Sequence, residues 1–291
     1  MRSLLVVLCM WVALCMSAIS AIAAEVSCKD WNTGGFFKRA RAADISRCIE
    51  AGAMVNARAR FGIMPLHLAA GYTENLAVVT ALLQAGADAK ARDEFDRNSL
   101  HWAEFNRNPE IAAALLKAGA ELSARDDSGR TPLHKAALND NPQVVTTLIE
   151  AGGEPNARDV HGRTPLHYAA FNENPEIAAT YLSARANVNA QGHAERWTPL
   201  HRATLNKNPA VVKILLKAGA DPDARDKSGW TPLHWATKQS DIPEITGMML
   251  DAGANPGAKD EMGKTPFDYA KENPALTGTE VYRRLSEARF R

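Results

Sequence analysis

Cysteine is scarce in this chain, with four residues in 291. No cysteines stand as paired ligands of a zinc site, and neither a glycine-rich phosphate loop nor a serine nucleophile turn is present. These absences point away from catalysis, and the expectation is a protein that is not an enzyme and needs no cofactor or metal. An excess of charge of either sign is also missing: 34 Lys+Arg stand against 33 Asp+Glu, a formal net charge of +1. A neutral surface has no general field for attracting phosphate backbones, which argues against nonspecific nucleic-acid binding.

A long hydrophobic run occurs only at the start. Arg2 precedes an uncharged apolar stretch from Leu4, and Ala21-Ile22-Ala23 supplies the small residues of a cleavage site, so residues 1–23 are expected to be an export signal. A retained membrane anchor is the competing reading, because the run is long for a signal. Cleavage would remove Arg2, two of the four cysteines and no acidic residue, leaving 33 basic against 33 acidic side chains with Cys28 and Cys48. Two cysteines in an exported chain most often pair, and the closed loop would stabilise the fold by about 3 kcal/mol. The alternative is a buried, reduced Cys48 beside a free Cys28. The simple signal and the recurrent Asn-x-Asn-Pro turns look bacterial, so the periplasm, or secretion beyond it, is the expected destination.

What the chain has in abundance is repetition. Its clearest statement is Thr131-Pro132-Leu133-His134-Lys135-Ala136-Ala137, and the histidine position recurs at 67, 101, 134, 167, 201 and 234, with Asp268 in the seventh copy. A period of 33 to 34 residues signals a stacked solenoid in which each unit touches only its neighbours. Within a unit, Thr131 can cap a first helix that Pro132 enters without needing a backbone donor, and Ala136 and Ala137 permit close helix approach. Asn141-Pro142 starts a second helix, repeated as Asn108-Pro109, Asn174-Pro175 and Asn208-Pro209. Val144, Val145, Leu148 and Ile149 form its buried stripe, and Gly152 ends it. The regular histidines cannot share a metal ion: adjacent helices lie about 8–10 Å apart, whereas zinc ligands sit about 2.0–2.1 Å from their metal. Each is expected to bond locally and hold its Thr-Pro turn.

The repeat closely resembles the ankyrin family. That resemblance implies an all-α solenoid of helix-turn-helix units joined by β-turn or hairpin loops. It covers roughly Thr33 to the C-terminus, with residues 59–291 as seven units, the last carrying a C-terminal capping helix, Thr279 to Arg289. Residues 24–58, with Trp31, Phe36 and Phe37, read as an N-terminal cap. The family likeness also implies a protein partner held by the concave first-helix face and the loop tips. Carried residue by residue, the expected contacts are Trp102, Lys135, Tyr168, Arg202 and Trp235 in one row, with Phe105, Leu138, Phe171 and Leu205 in a second. The second row has an alternative reading as cover for the asparagine turns.

The fourth-to-fifth junction departs from the pattern. Arg185 replaces the terminating glycine, and Gln191 to Trp197 contains one extra residue and lacks the Asp-x-x-Gly turn. The junction is expected to be looser or specially shaped, either as a drifting, tolerated repeat or as a partner-contacting tip built on Arg196 and Trp197. Met64, Asp96 and Asn98-Ser99 are lesser departures. The functional expectation is a noncatalytic, monomeric, exported binding scaffold with no membrane insertion once the signal is gone. The alternatives are a protective or inhibitory accessory to an envelope enzyme, for example under oxidative stress, or a secreted protein that binds a host target.

Overall fold

A computed structural model describes residues 26–206 and 208–288. The expected export segment and Arg289 lie outside the described residues. The described chain is all-helical with no assigned strand, and it is built as helix pairs stacked in chain order.

A short pair, Gly34–Arg39 and Ala42–Glu50, precedes seven repeat units. The first helices of the units are Pro65–Tyr72, Ser99–Phe105, Pro132–Ala136, Pro165–Ala169, Pro199–Ala203, Pro232–Gln239 and Pro266–Ala270. The second helices are Leu76–Gln84, Pro109–Lys117, Pro142–Glu150, Pro175–Ser183, Pro209–Lys217, Pro243–Asp251 and Glu280–Ala288. Leu66, Leu100, Leu133, Leu166, Leu200 and Leu233 are all buried between neighbouring pairs, with Ala69-Ala70, Ala136-Ala137 and Ala169-Ala170 fully covered beside them. The absence of bulk at those alanines lets the backbones come close, so the core runs the length of the stack.

Each turn-holding histidine does two jobs. In unit 3 the Thr131 amide donates to His134 Nδ1 at 3.1 Å, and Nε2 lies 3.1 Å from the Arg163 carbonyl of unit 4. An amide can only donate and a carbonyl can only accept, so the network demands a neutral ring with its proton on Nε2. The same bridge joins His101 to Arg130, His167 to Trp197, His201 to Trp230 and His234 to Lys264, while His67 reaches an earlier carbonyl of the next unit, that of Ala91 at 3.2 Å. Asp268 keeps only the first job: its Oδ2 accepts from the Thr265 amide at 3.0 Å. It belongs to the seventh unit, after which no further hairpin follows among the described residues.

Asparagines make a second set of ties. Asn139 Nδ2 donates to the Ala103, Glu104 and Asn106 carbonyls of the preceding unit, while its Oδ1 accepts from the Asn141 amide. Asn141 caps its own second helix and also donates to the Arg107 carbonyl. In unit 2, where Thr-Pro is replaced, Asn98 assumes the capping role by accepting from the His101 amide at 3.3 Å.

Both ends are closed. Trp31, Phe36 and Phe37 pack ring against ring, Trp31 Nε1 donates to the Met54 carbonyl at 3.1 Å, and Cys28 is bonded to Cys48. At the other end Leu285 is buried and Tyr282 lies 5.1 Å from the Phe267 ring. Arg283 and Arg284 pair with Glu280 and Asp251 on the outer side.

Candidate functional site

Hairpins between units link into a continuous backbone ladder: Glu94 to Phe61, Asp127 to Phe95, Val160 to Ser128, His193 to His161, Lys227 to Glu195 and Glu261 to Ser228, amide to carbonyl. Behind each regular tip an aspartate organises the turn. Asp126 Oδ1 accepts from the Ser128 and Arg130 amides, and its Oδ2 meets Arg130 Nε at 2.9 Å. Asp159 repeats this with His161 and Arg163.

The first row expected to face a partner is partly turned into this hairpin framework, which corrects its expected exposure. Tyr168 is only 9% exposed, and its hydroxyl donates to Asp159 Oδ2 at 2.6 Å. Burial, and then that hydrogen bond, push the phenol up to about 12. Trp102 is 6% exposed and lies under the Arg97 guanidinium at 4.7 Å. Lys135 is buried in an ion pair with Glu104 at 3.1 Å. Trp235 is half-buried and donates from Nε1 to Asp226 Oδ2 at 2.9 Å. Large side chains at this position close the space above the aspartate nine residues earlier. That spacing was readable in the sequence and would have given these residues a structural role.

The second row is the exposed one. Phe105, Leu138 and Phe171 are 54%, 46% and 50% exposed, and Leu205 is half-buried. Tyr72, which the repeat register misses because its helix is longer, is 41% exposed and stacks on Phe105 at 6.2 Å. An apolar strip therefore runs along the first-helix side of units 1 to 5. It gives way to the Lys238–Glu272 ion pair in units 6 and 7. Exposed apolar side chains gathered in register are a binding feature, whereas scattered ones are not.

At the fourth-to-fifth junction the backbone ladder is kept on both sides. In the other tips the donor and acceptor are adjacent residues, but here they are His193 and Glu195, so the extra residue is absorbed at Ala194. The junction is specially shaped without being cut loose. Arg185 and Arg196 hold φ of 63° and 56°, the left-handed region that Gly152 and Gly162 occupy at matching places. Arg196 is exposed, while Trp197 is half-buried and meets the Trp235 ring edge-on at 4.7 Å. No group of three or more His, Cys, Asp or Glu that could hold a metal occurs among the described residues.

Helix pairs at a 33–34-residue period, joined by tip-to-tip hydrogen bonds, define a repeat solenoid whose recurring residues are committed to stacking. The family model for ankyrin repeats (3 copies) matches in overlapping segments at residues 45–126, 66–159, 122–192, 152–226, 178–260 and 200–285. The chain belongs to the ankyrin-repeat family. Such repeats are generally protein–protein interaction modules and typically noncatalytic. A search of curated proteins found no match.

Proposed function

We propose that this chain is an exported, noncatalytic scaffold that binds a protein partner along the strip Tyr72, Phe105, Leu138, Phe171 and Leu205. The observation that carries this reading is the exposure of large apolar side chains in register, on a fold whose other large apolar side chains are mostly buried. Aromatic residues supply much of the energy at protein interfaces, and three of these five are aromatic. Arg202 and Trp235, half-buried beside the strip, remain candidate contacts.

Export is supported by the apolar N-terminal run ending in Ala21-Ile22-Ala23, and by the Cys28–Cys48 bond, since disulfides persist in oxidising compartments. The periplasm, or secretion beyond it, is the proposed location. Among the described residues no helix is long and apolar enough to cross a membrane.

The test is crosslinking in the native compartment, comparing the unaltered chain with a Phe105→Ala, Leu138→Ala, Phe171→Ala triple variant. Loss of a specific crosslinked protein, with an unchanged melting temperature, is expected. The same crosslinked set from both proteins would reject the strip. Fractionation of the cells that make it tests the location.

A further inference from the structure

The fifth unit lacks the carboxylate on which units 2, 3, 4, 6 and 7 are organised; unit 1 lacks it too, with Ala59 at that position, but its first-helix counterpart is the apolar Leu68, whereas in unit 5 it is a cation. In the regular hairpins the residue that closes the turn is an aspartate: the Asp126 amide donates to the Arg130 carbonyl, and the Asp159 amide to the Arg163 carbonyl. In unit 5 the same bond is made by Gly192 to the Trp197 carbonyl at 3.0 Å. Glycine therefore occupies the aspartate position. The Trp197 amide, which corresponds to those of Arg130 and Trp230, loses the side-chain acceptor that Asp126 and Asp226 provide.

The first-helix residue above that position is Arg202. Its counterparts Tyr168, Trp235 and Tyr269 each donate to the aspartate of their own unit. Arg202 has no such aspartate. Its Nε is buried with no hydrogen-bond partner among the described residues, and the guanidinium is held over the Tyr168 and Phe171 rings at 6.0 and 5.7 Å. Burial, and then the Arg163 charge, lower its pKa from the ordinary arginine value, against a smaller upward pull from Tyr168 and the Asp159 carboxylate of unit 4. Beneath it lies a half-open cavity of about 320 Å³ lined by His161, Arg163, Gly192, Glu195, Trp197 and Arg202. Glu195 is exposed on the rim and makes no ion pair with either arginine among the described residues.

We propose that this cavity is a carboxylate-binding subsite, filled by an acidic side chain of the bound partner, which supplies the anion that Gly192 removed from the repeat. The ligand carboxylate takes the place of the missing aspartate, accepts from Arg202, and packs its aliphatic stem on Trp197. Arg163 adds positive field from the neighbouring unit, its own Nε being engaged by Asp159 at 2.9 Å. The subsite adjoins Phe171 of the apolar strip, so it deepens the scaffold reading and rests on it for the identity of the ligand as a protein.

The experiment is a titration of the purified chain followed by the Trp197 indole and Arg202 Nε–H resonances. The probes are a blocked tripeptide with a central glutamate, its glutamine counterpart, acetate and inorganic phosphate. The glutamate peptide is expected to shift both signals, and its affinity to fall about tenfold or more in Arg202→Gln, as for loss of a charge-assisted hydrogen bond. The decisive variant is Gly192→Asp, which restores the internal carboxylate. A Cβ at Gly192 would have the His161 carbonyl oxygen at 3.3 Å, Arg163 Cγ at 3.6 Å and the Trp197 carbonyl oxygen at 3.9 Å as its nearest neighbours, so the adjoining hairpin must give by a few tenths of an ångström, and the glycine does not hold a left-handed φ. That variant is expected to keep or raise the melting temperature while abolishing peptide binding. Equal binding of the glutamine peptide, undiminished binding to Gly192→Asp, or tighter binding of acetate or phosphate than of the peptide would each overturn the assignment. No cellular partner enters this titration. Failure here therefore leaves the crosslinking test of the apolar strip untouched, and failure of that test leaves peptide binding in the cavity to be judged separately.

Discussion

At the scale of single residues, the six bridging histidines couple stability to pH. Burial lowers all six from the ordinary value of 6.5, to about 4 for His101, His134 and His167, against a smaller upward pull from the carbonyl each ring donates to. A depressed folded-state pKa means that the unfolded chain binds protons first on acidification. The stabilisation is complete above about pH 6.5 and is lost as pH falls from there toward 4, with a slope on the order of 1.4 kcal/mol per pH unit for each titrating ring. Carboxylates act lower: the Lys271 ammonium, followed by the Thr265 amide, holds the Asp268 carboxyl well below its usual 3.8. Urea midpoints measured between pH 7 and 4.5 should fall steadily, and a flat profile across that interval would contradict the neutral-histidine network. Asp268 suggests a sharper substitution. His134→Asp keeps an acceptor for the Thr131 amide but leaves the Arg163 carbonyl without its donor, so a loss of about 1–3 kcal/mol is expected in denaturant unfolding.

At the scale of elements, backbone strain and covalent closure are both local. Arg185 ends its helix at φ 63° with an exposed side chain, in the place where Gly119, Gly152 and Gly219 adopt φ from 85° to 96°. Arg185→Gly should raise stability by about 1 kcal/mol, the relief of left-handed strain less the extra entropy of glycine. An unchanged or lower melting temperature would mean that the strain is already relieved by its surroundings. The Cys28–Cys48 bond ties the lead-in to the helix Ala42–Glu50, across a separation of 20 residues. Replacing both cysteines by alanine should cost up to about 3 kcal/mol. In hydrogen exchange the loss of protection should appear first across residues 26–50, and an even loss over all units would show that the cap is not a separate element.

At the scale of the whole molecule, a solenoid is as cooperative as its weakest interface. The fourth-to-fifth interface lacks the aspartate turn in unit 5, although Arg158 still donates across it to the Gln191 carbonyl at 2.7 Å. Leu200 is completely buried at that interface. Leu200→Ala should cost about 2–5 kcal/mol and split unfolding into two steps, with units 1 to 4 and units 5 to 7 losing exchange protection separately. A single step shared by all units would show that the histidine and tip ladders carry coupling past the irregular junction.

The linear chain determined its architecture because the repeat is written in local chemistry. Threonine, proline, histidine and paired asparagines place caps and turns within a few residues of themselves, and a 33–34-residue period stacks them. The surface was less legible. The position after each histidine looks variable and therefore free, yet Tyr168, Trp235 and Tyr269 reach back nine residues to a hairpin aspartate, a contact only the folded unit creates. The row of Phe105, Leu138 and Phe171 could be read from sequence as either cover or contact, and among the described residues it lies open. Sequence alone marked the junction at Gln191 to Trp197 as irregular, since an insertion shows in the count. Tertiary structure decided that the insertion keeps the ladder intact and leaves Arg202 beside an empty carboxylate position, because a missing partner becomes visible only when the residues around it are brought together in space.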